Sequence, residues 1–381
     1  MRTFYEFFAG GGMARAGLGD GWQCLFANDF DKVKARSYVD NWGAEHLIVD
    51  DVANVSTGHL PGTTDLVWAS FPCQDLSLAG DGAGLSGNRS GSFWPFWRLV
   101  DKLAKQGRHP KVVVLENVCG ALTSHGGADF AAICKALAKS GYRFGAMVLD
   151  AVNFLPQSRP RLFIVAVRKE WDVPAALLES GSQPPWHTKG VFAAFQRLAP
   201  KDRTDWAWWR LPSPPARTRT LVDLIERNPK GVKWHTGAET KRLLAMMSDS
   251  HLEKVTAALR EQRRAVGCIY KRMRVNAYGD RVQRAEVRFD GIAGCLRTPV
   301  GGSSRQIIIE VESNEVNTRL LSPREAARLM GLDDGYILPE KYNDAYHLAG
   351  DGVAVPVVRF LAHHLLEPLL ASADAQKTEA A

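Results

Sequence analysis

Between residues 1 and 170, short apolar runs alternate with stretches of helical periodicity. That alternation restricts the chain to an α/β fold, a sheet with helices on both faces whose strands are joined by crossovers. The runs predict strands at Thr3–Phe8, Cys24–Asn28, Leu47–Val49, Asp65–Ser70, Val112–Glu116, Phe144–Leu149 and Leu162–Val167. After about residue 170 the character changes. Proline, tryptophan and basic residues rise through Gln183–Arg219, with Trp206, Trp208 and Trp209 close together. A helix is expected over Ala238–Arg263, then short strands and glycine turns rich in arginine over Cys268–Val311. At Ser322-Pro323-Arg324-Glu325, a cap residue, a first-turn proline and a glutamate three residues on mark a new helix. Val353–Leu370 reads as an apolar helix. These signals divide the chain into a large domain over 1–174, a small one over 175–315, a return to the first over 316–371, and a polar tail over 372–381 that is expected to be disordered.

A surplus of basic groups, +7 in net charge, favours a polyanionic partner without identifying one. The six cysteines include no C-x-x-C pair, and no histidines cluster near them, so neither a metal site nor a disulfide framework is expected. No apolar run reaches the roughly 18 residues of a membrane span. The start, MRTFYEFFAG, lacks the layout of a signal peptide, so the chain is expected in the cytoplasm with reduced thiols.

Two turns carry the chemistry. Phe8-Ala9-Gly10-Gly11-Gly12 follows the first strand and opens a helix, where backbone amides can approach a ligand. Asp29 ends the second strand, nineteen residues after Gly10, where a carboxylate suits ribose hydroxyls. Asp51 follows the third. Together they indicate an adenosine-type cofactor and leave open whether it is a nicotinamide dinucleotide or S-adenosylmethionine. Ser70-Phe71-Pro72-Cys73-Gln74 ends the fourth strand, at the carboxyl edge where open α/β sheets place their chemistry. It runs into a glycine-rich segment, Asp75–Gly91. The fifth strand ends in Glu116-Asn117-Val118, and Gln157-Ser158-Arg159-Pro160-Arg161 leads into another.

The ordered set FAGGG, FPCQ, ENV, QSRPR and LLSPREAARLMG resembles the cytosine-5 DNA methyltransferase family over residues 3–170 and 318–370. The resemblance implies a class I methyltransferase (Rossmann-like) sheet, with the variable middle as a target-recognition domain. It implies S-adenosylmethionine as cofactor, S-adenosylhomocysteine as product, and no metal. By similarity Cys73 is the nucleophile that attacks carbon 6 of cytosine, making carbon 5 able to accept a methyl group. Glu116 would hold the ring nitrogen and exocyclic amine. Arg161, and less directly Arg159, would face the base, Arg161 binding its carbonyl oxygen. Phe8, Ala9, Gly10, Gly12, Pro72 and Phe93 would line the cofactor, with a buried aromatic as the alternative reading of Phe93. Asp29 would bind the ribose, Phe30 would stack on adenine, and Asp51 and Val52 would flank its edge. Asp351 and Val353 would lie near the methionine portion.

A thiol titrating near pH 8.5 is only a few per cent ionised at neutrality, so neighbouring positive charge must favour the thiolate. A base stacked in a duplex must be flipped out, and Asp75–Gly91 could close over it. The implied partners are double-stranded DNA and a cognate restriction endonuclease. The protein is expected to be a monomer associated with the nucleoid, with no membrane contact.

Three positions depart from the family pattern. Met13 replaces a third glycine, which should narrow the backbone route near the cofactor. Ser70 replaces a frequent glycine. Gly350-Asp351-Gly352 has a carboxylate where an asparagine is usual, read either as a cofactor contact or as a cap on a helix starting at Val353. The alternatives are a transfer RNA cytosine-5 methyltransferase, a lineage with a much shorter middle segment, and a non-catalytic DNA-binding relative. An oxidoreductase would have no use for FPCQ and ENV together.

Overall fold

The computed structural model describes residues 1–72, 92–261, 263–275, 278–297 and 305–379. The chain forms two units. The first contains residues 1–150, 160–214 and 353–381, and the second 151–159 and 215–352.

The first unit is built on seven strands: β1 (Arg2–Phe7), β2 (Trp22–Asp29), β3 (Leu47–Val49), β4 (Leu66–Ala69), β5 (Val112–Val118), β6 (Tyr142–Asp150) and β7 (Pro160–Arg168). All seven predicted strands are present. Their order is β3-β2-β1-β4-β5-β7-β6. β1 through β5 are parallel, and β7 runs antiparallel between β5 and β6. Buried runs such as Val112–Leu115 suit a sheet covered on both faces. The order reverses between β1 and β4, which opens a crevice outside the carboxyl ends of those strands.

Helices α1 (Met13–Leu18), α2 (Lys32–Trp42), α3 (Phe93–Lys105) and α4 (Ala128–Lys139) pack against the sheet. Asp31 starts α2 by accepting hydrogen bonds from the amides of Val33 and Lys34. α1 lies on the helix Val355–Leu361, and Gly17 permits that approach: a Cβ there would sit 2.4 Å from Val358 Cβ. The helical segment Tyr342–Gln376 is long and apolar enough to cross a membrane by length and composition. Its most apolar window is 67% buried inside the fold, as in a core helix.

The Trp-rich stretch belongs to this first unit, so the break falls after Pro214 instead of near 174. The short strands β8 (Leu178–Glu179) and β9 (Trp208–Trp209) pair with each other, and Trp209 Nε1 donates to the Val165 carbonyl of β7 at 3.1 Å. Trp206 packs edge-on against Phe144 of β6. These indoles cover the outer strands of the sheet, and the change in composition marks that covering layer.

In the second unit β10 (Ala265–Val275), β11 (Arg281–Arg288), β12 (Ile307–Glu312) and β13 (Glu315–Leu320) form an antiparallel sheet in the order β11-β10-β12-β13. Leu243, Met247, Val255 and Ala258 cover Ile269, Ala285, Val287, Ile307 and Ile309. The helix expected over Ala238–Arg263 is two, Gly237–Ala245 and Asp249–Arg260, because the extended backbone of Ser248 starts the second. The predicted division at 315 does not interrupt the fold, since β12 and β13 pair across it. The helix at Pro323–Leu329 has the expected capping box between Ser322 and Glu325. The tail expected to be disordered is helical to Glu379, with Ala373 buried and Asp374 paired with Arg2 and Lys111.

Candidate active site

The glycine turn takes its shape from residues on three elements. Ala9 N donates to the Asn28 carbonyl at 2.9 Å, tying the end of β1 to β2. Asp29 is buried, and its carboxylate accepts from Gly10 N at 2.7 Å and Asp31 N at 2.8 Å. Burial pushes its pKa up, against those amides and the charge of Lys34. Phe8 has φ 58°, a left-handed conformation uncommon for a bulky side chain, and its ring meets Phe96 edge-on. Gly12 has φ 76°, and a Cβ there would sit 2.4 Å from Trp42 Nε1. That indole donates to the Gly11 carbonyl at 3.0 Å and lies under the Arg15 guanidinium. Trp42 and Arg15 therefore brace the turn, a link across some thirty residues that no local pattern announces.

Beneath the turn, Glu6 of β1 is 1% exposed and its Oε2 has no hydrogen-bond partner. Burial pushes its pKa up to about 8, with the charge of Arg15 the main opposing influence. Met13, where a glycine was expected, is buried as the first residue of α1.

At the ends of β2 and β3, Phe30 is 64% exposed, presenting its ring beside Asp29. Asp51 caps the short helical turn Val52–Asn54 by accepting from Ala53 N at 2.8 Å, and Val52 is buried. Asn28 pins the ends of β2 and β3 through the carbonyls of Ile48 and Asp50. A buried carboxylate, an exposed aromatic and a glycine turn line this edge, and a Cβ at Gly10 would meet nothing nearer than Lys34 Cδ at 4.0 Å. These residues fit an adenosine-type group in chemistry and in room.

The second cluster spans β4, β5 and β7. Glu116 and Asn117 end β5, both buried. Arg161 at the start of β7 approaches Glu116, Nε to Oε1 3.3 Å. Asn117 Nδ2 donates to the Phe71 carbonyl at 3.2 Å, and its Oδ1 accepts from Val118 N. Asn117 thus fixes the backbone one residue before Pro72, and only its place in the ENV motif hinted at it. Trp68 Nε1 donates to Ser70 Oγ at 3.0 Å, which gives the serine at that family glycine position a partner. Phe93 is fully buried against Phe71 and Trp97. Pro72 is the last described residue of this stretch. Cys73 and the Asp75–Gly91 loop lie outside the described residues.

Arg159 belongs to the second unit. It is 2% exposed, and its terminal nitrogens donate to the carbonyls of Leu296 at 3.2 Å and of Gly350 and Gly352, each at 2.7 Å. The guanidinium thereby satisfies carbonyls at the end of the helix Tyr342–Asp351. Gln157, also buried, donates to the Leu329 carbonyl at 2.6 Å. Asp351 is exposed and is the last residue of that helix. The next helix starts at Val355 with Ala354 as its N-cap, so the reading of Asp351 as a cap on a helix starting at Val353 is overturned. Val353 is buried in the first unit.

A family model described as C-5 cytosine-specific DNA methylase matches residues 2–367. The chain is 26% identical to the type II methyltransferase M.BsuFI of Bacillus subtilis, over 97% of its own length and 73% of that protein. It is 25% identical to the type II methyltransferase M.HpaII of Haemophilus parainfluenzae, over 96% and 90%. The crystal structure of the Dnmt2 methyltransferase of S. pombe superposes with a TM-score of 0.57 at 17% identity, covering 97% of this chain and 99% of that one. That likeness bears on the fold alone.

Proposed function

The chain belongs to the C-5 cytosine-specific DNA methylase family, and from that premise we propose that it transfers a methyl group from S-adenosylmethionine to carbon 5 of a cytosine flipped out of duplex DNA. The observation that carries this reading is the Glu116–Arg161 pair at the mouth of β5 and β7, beside a backbone that Asn117 holds for Cys73.

Cys73 adds its sulfur to ring carbon 6, and electron density moves onto carbon 5 and the ring carbonyl. Glu116 hydrogen-bonds the ring nitrogen and the exocyclic amine, supplying a proton as negative charge grows there. Arg161 steadies the charge on the carbonyl oxygen. Once carbon 5 carries the methyl group, its proton leaves to water and the electron pair left behind re-forms the 5,6 double bond, expelling the thiolate. The cofactor supplies an electrophilic methyl group when bound. The glycine turn and Asp29 would hold its amino-acid and ribose ends, with Phe30 against the adenine. Arg159 acts by positioning, through the carbonyls that flank Asp351. The protein is read as a cytoplasmic, nucleoid-associated monomer, the modification partner of a restriction endonuclease.

Incubation with radiolabelled S-adenosylmethionine and either duplex DNA or transfer RNA tests the reading. Label in carbon 5 of DNA cytosines is expected, and Cys73→Ser should abolish it while cofactor binding by calorimetry stays nearly unchanged. Label in transfer RNA alone, or a serine variant with native turnover, would overturn it.

A further inference from the structure

The second unit carries 24 lysines and arginines against 18 aspartates and glutamates, so +6 of the chain's +7 charge lies there. Most of that surplus is in one place. β10 and β11 together hold Lys271, Arg272, Arg274, Arg281, Arg284 and Arg288 against a single acid, Glu286.

These strands are longer than their sheet. β12 pairs with β10 only from Ala265 to Ile269, whereas β11 pairs with β10 as far as Val275. From Tyr270 onward the two strands form a two-stranded ribbon, with no third strand beside it among the described residues. At about 3.4 Å per residue the overhang reaches roughly 17 Å, more than the depth of about 8.5 Å of a DNA major groove, which is wide enough for such a ribbon.

The two faces of the overhang differ. In the antiparallel register Arg272 lies opposite Arg284, and Arg274 opposite Val282. On that face Glu286 pairs with Arg272 at 3.4 Å and Arg274 at 2.5 Å, so two of the arginines are already engaged. The other face carries Lys271, Met273 opposite Gln283, and Val275 opposite Arg281. Closer to the sheet this face is core, Ile269, Ala285 and Val287 lying under the helices. Farther out Met273 is 56% and Val275 68% exposed. Large apolar side chains between cations, with nothing over them among the described residues, suit a surface that is at once anionic and studded with methyl groups. The floor of the major groove, with its thymine methyls and base-edge donors and acceptors between two rows of phosphates, is such a surface.

We propose that the β10–β11 ribbon enters the major groove of the substrate duplex with its Lys271–Met273–Val275 face toward the bases. Met273 and Gln283 contact base edges and help to set the recognition sequence, and Lys271 and Arg281 on the same face neutralise phosphates. The proposal rests on the DNA methyltransferase reading above.

The experiment uses the full-length protein and fragmented genomic DNA of the expression host. Each phosphate neutralised contributes about −0.9 to the slope of log affinity against log salt. Lys271→Gln/Arg281→Gln should therefore flatten the slope by about 2, with cofactor affinity unchanged. Met273→Ala/Gln283→Ala should alter the set of methylated sites, read by bisulfite conversion of the host genome. Lys230→Gln/Lys233→Gln removes the same charge from exposed positions elsewhere in the unit and should leave both readouts alone. A ribbon variant that keeps the native slope and the native sites, in a protein that methylates DNA, overturns the ribbon and spares the function. A native protein that neither binds nor methylates duplex DNA overturns both.

Discussion

The two units each bury an arginine beside a glutamate, and the pairs are built differently. Arg319 and Glu325 in the second unit are both 0% exposed and joined by two bonds of 2.7 and 2.6 Å. Trp234 lies under the guanidinium, the Leu320 and Glu226 carbonyls accept from it, and Ser322 N donates to the carboxylate. Nearly every donor and lone pair is used inside the fold. Arg161 and Glu116 in the first unit meet with Nε 3.3 Å from Oε1, their side chains 15% and 9% exposed, and Arg161 also donates to the Pro160 carbonyl at 2.9 Å. The residue types are the same, but the Arg319–Glu325 pair lies wholly inside the fold, whereas the Glu116–Arg161 pair stands at the ends of β5 and β7 with part of its surface exposed. A fully buried pair joined by two bonds holds a fold together, whereas a partly exposed one at strand ends stands where open α/β sheets place their chemistry.

The comparison breaks if the two pairs respond alike to mutation. Arg319→Met strands a buried carboxylate and should cost about 3–5 kcal/mol, enough in denaturant titration to unfold the second unit. Arg161→Ala should leave the unfolding midpoint close to native while methyl transfer falls by about 10²–10³. Loss of stability at Arg161 comparable to that at Arg319 would erase the distinction.

Smaller effects sharpen it. Gly12→Ala forces a left-handed φ on alanine and drives its Cβ into Trp42, so a loss of roughly 1–3 kcal/mol is expected, with weakened cofactor binding by calorimetry. Ser322→Ala removes one half of a capping box and should cost about 1 kcal/mol without touching cofactor affinity. The last concerns pH. With its pKa pushed up to about 8, Glu6 is protonated in the folded state while the unfolded side chain ionises near 4.5. The folded state therefore binds the extra proton between those values, and stability attributable to this site falls as pH rises through that window. Glu6→Gln should flatten the melting temperature between pH 5 and 8; an identical slope in both proteins would place the effect elsewhere.

Much of this was legible from residues alone. The seven strands announce themselves because each is a run of apolar side chains bounded by turn formers, and the Ser322 capping box because it spans three residues. Phe8 to Gly12, Asp29, Glu116 and Arg161 stand at strand ends that the same runs define. What escaped depends on residues far apart in the chain. Arg159 reads like Arg161 until the structure shows its guanidinium donating to carbonyls more than a hundred residues away. Asn117 earns its importance from Phe71, 46 positions earlier. The break near Ser248 and the boundary at Pro214 were missed for a related reason: composition reports what a segment is made of and says little about which surface it covers.

The packing of α1 against Val355–Leu361 has a consequence for how the protein is made. Synthesis runs from the amino end, so the glycine turn emerges more than three hundred residues before the helix that supports α1. Until that helix arrives, Met13 and Gly17 have no partner on that side, and the turn lacks its backing. A chain cut or stalled before that helix is expected to be inert even though Cys73, Glu116 and Arg161 have all emerged. The helix Val355–Leu361 thus acts as a check on synthesis, since the turn gains its backing only after the second unit has been translated.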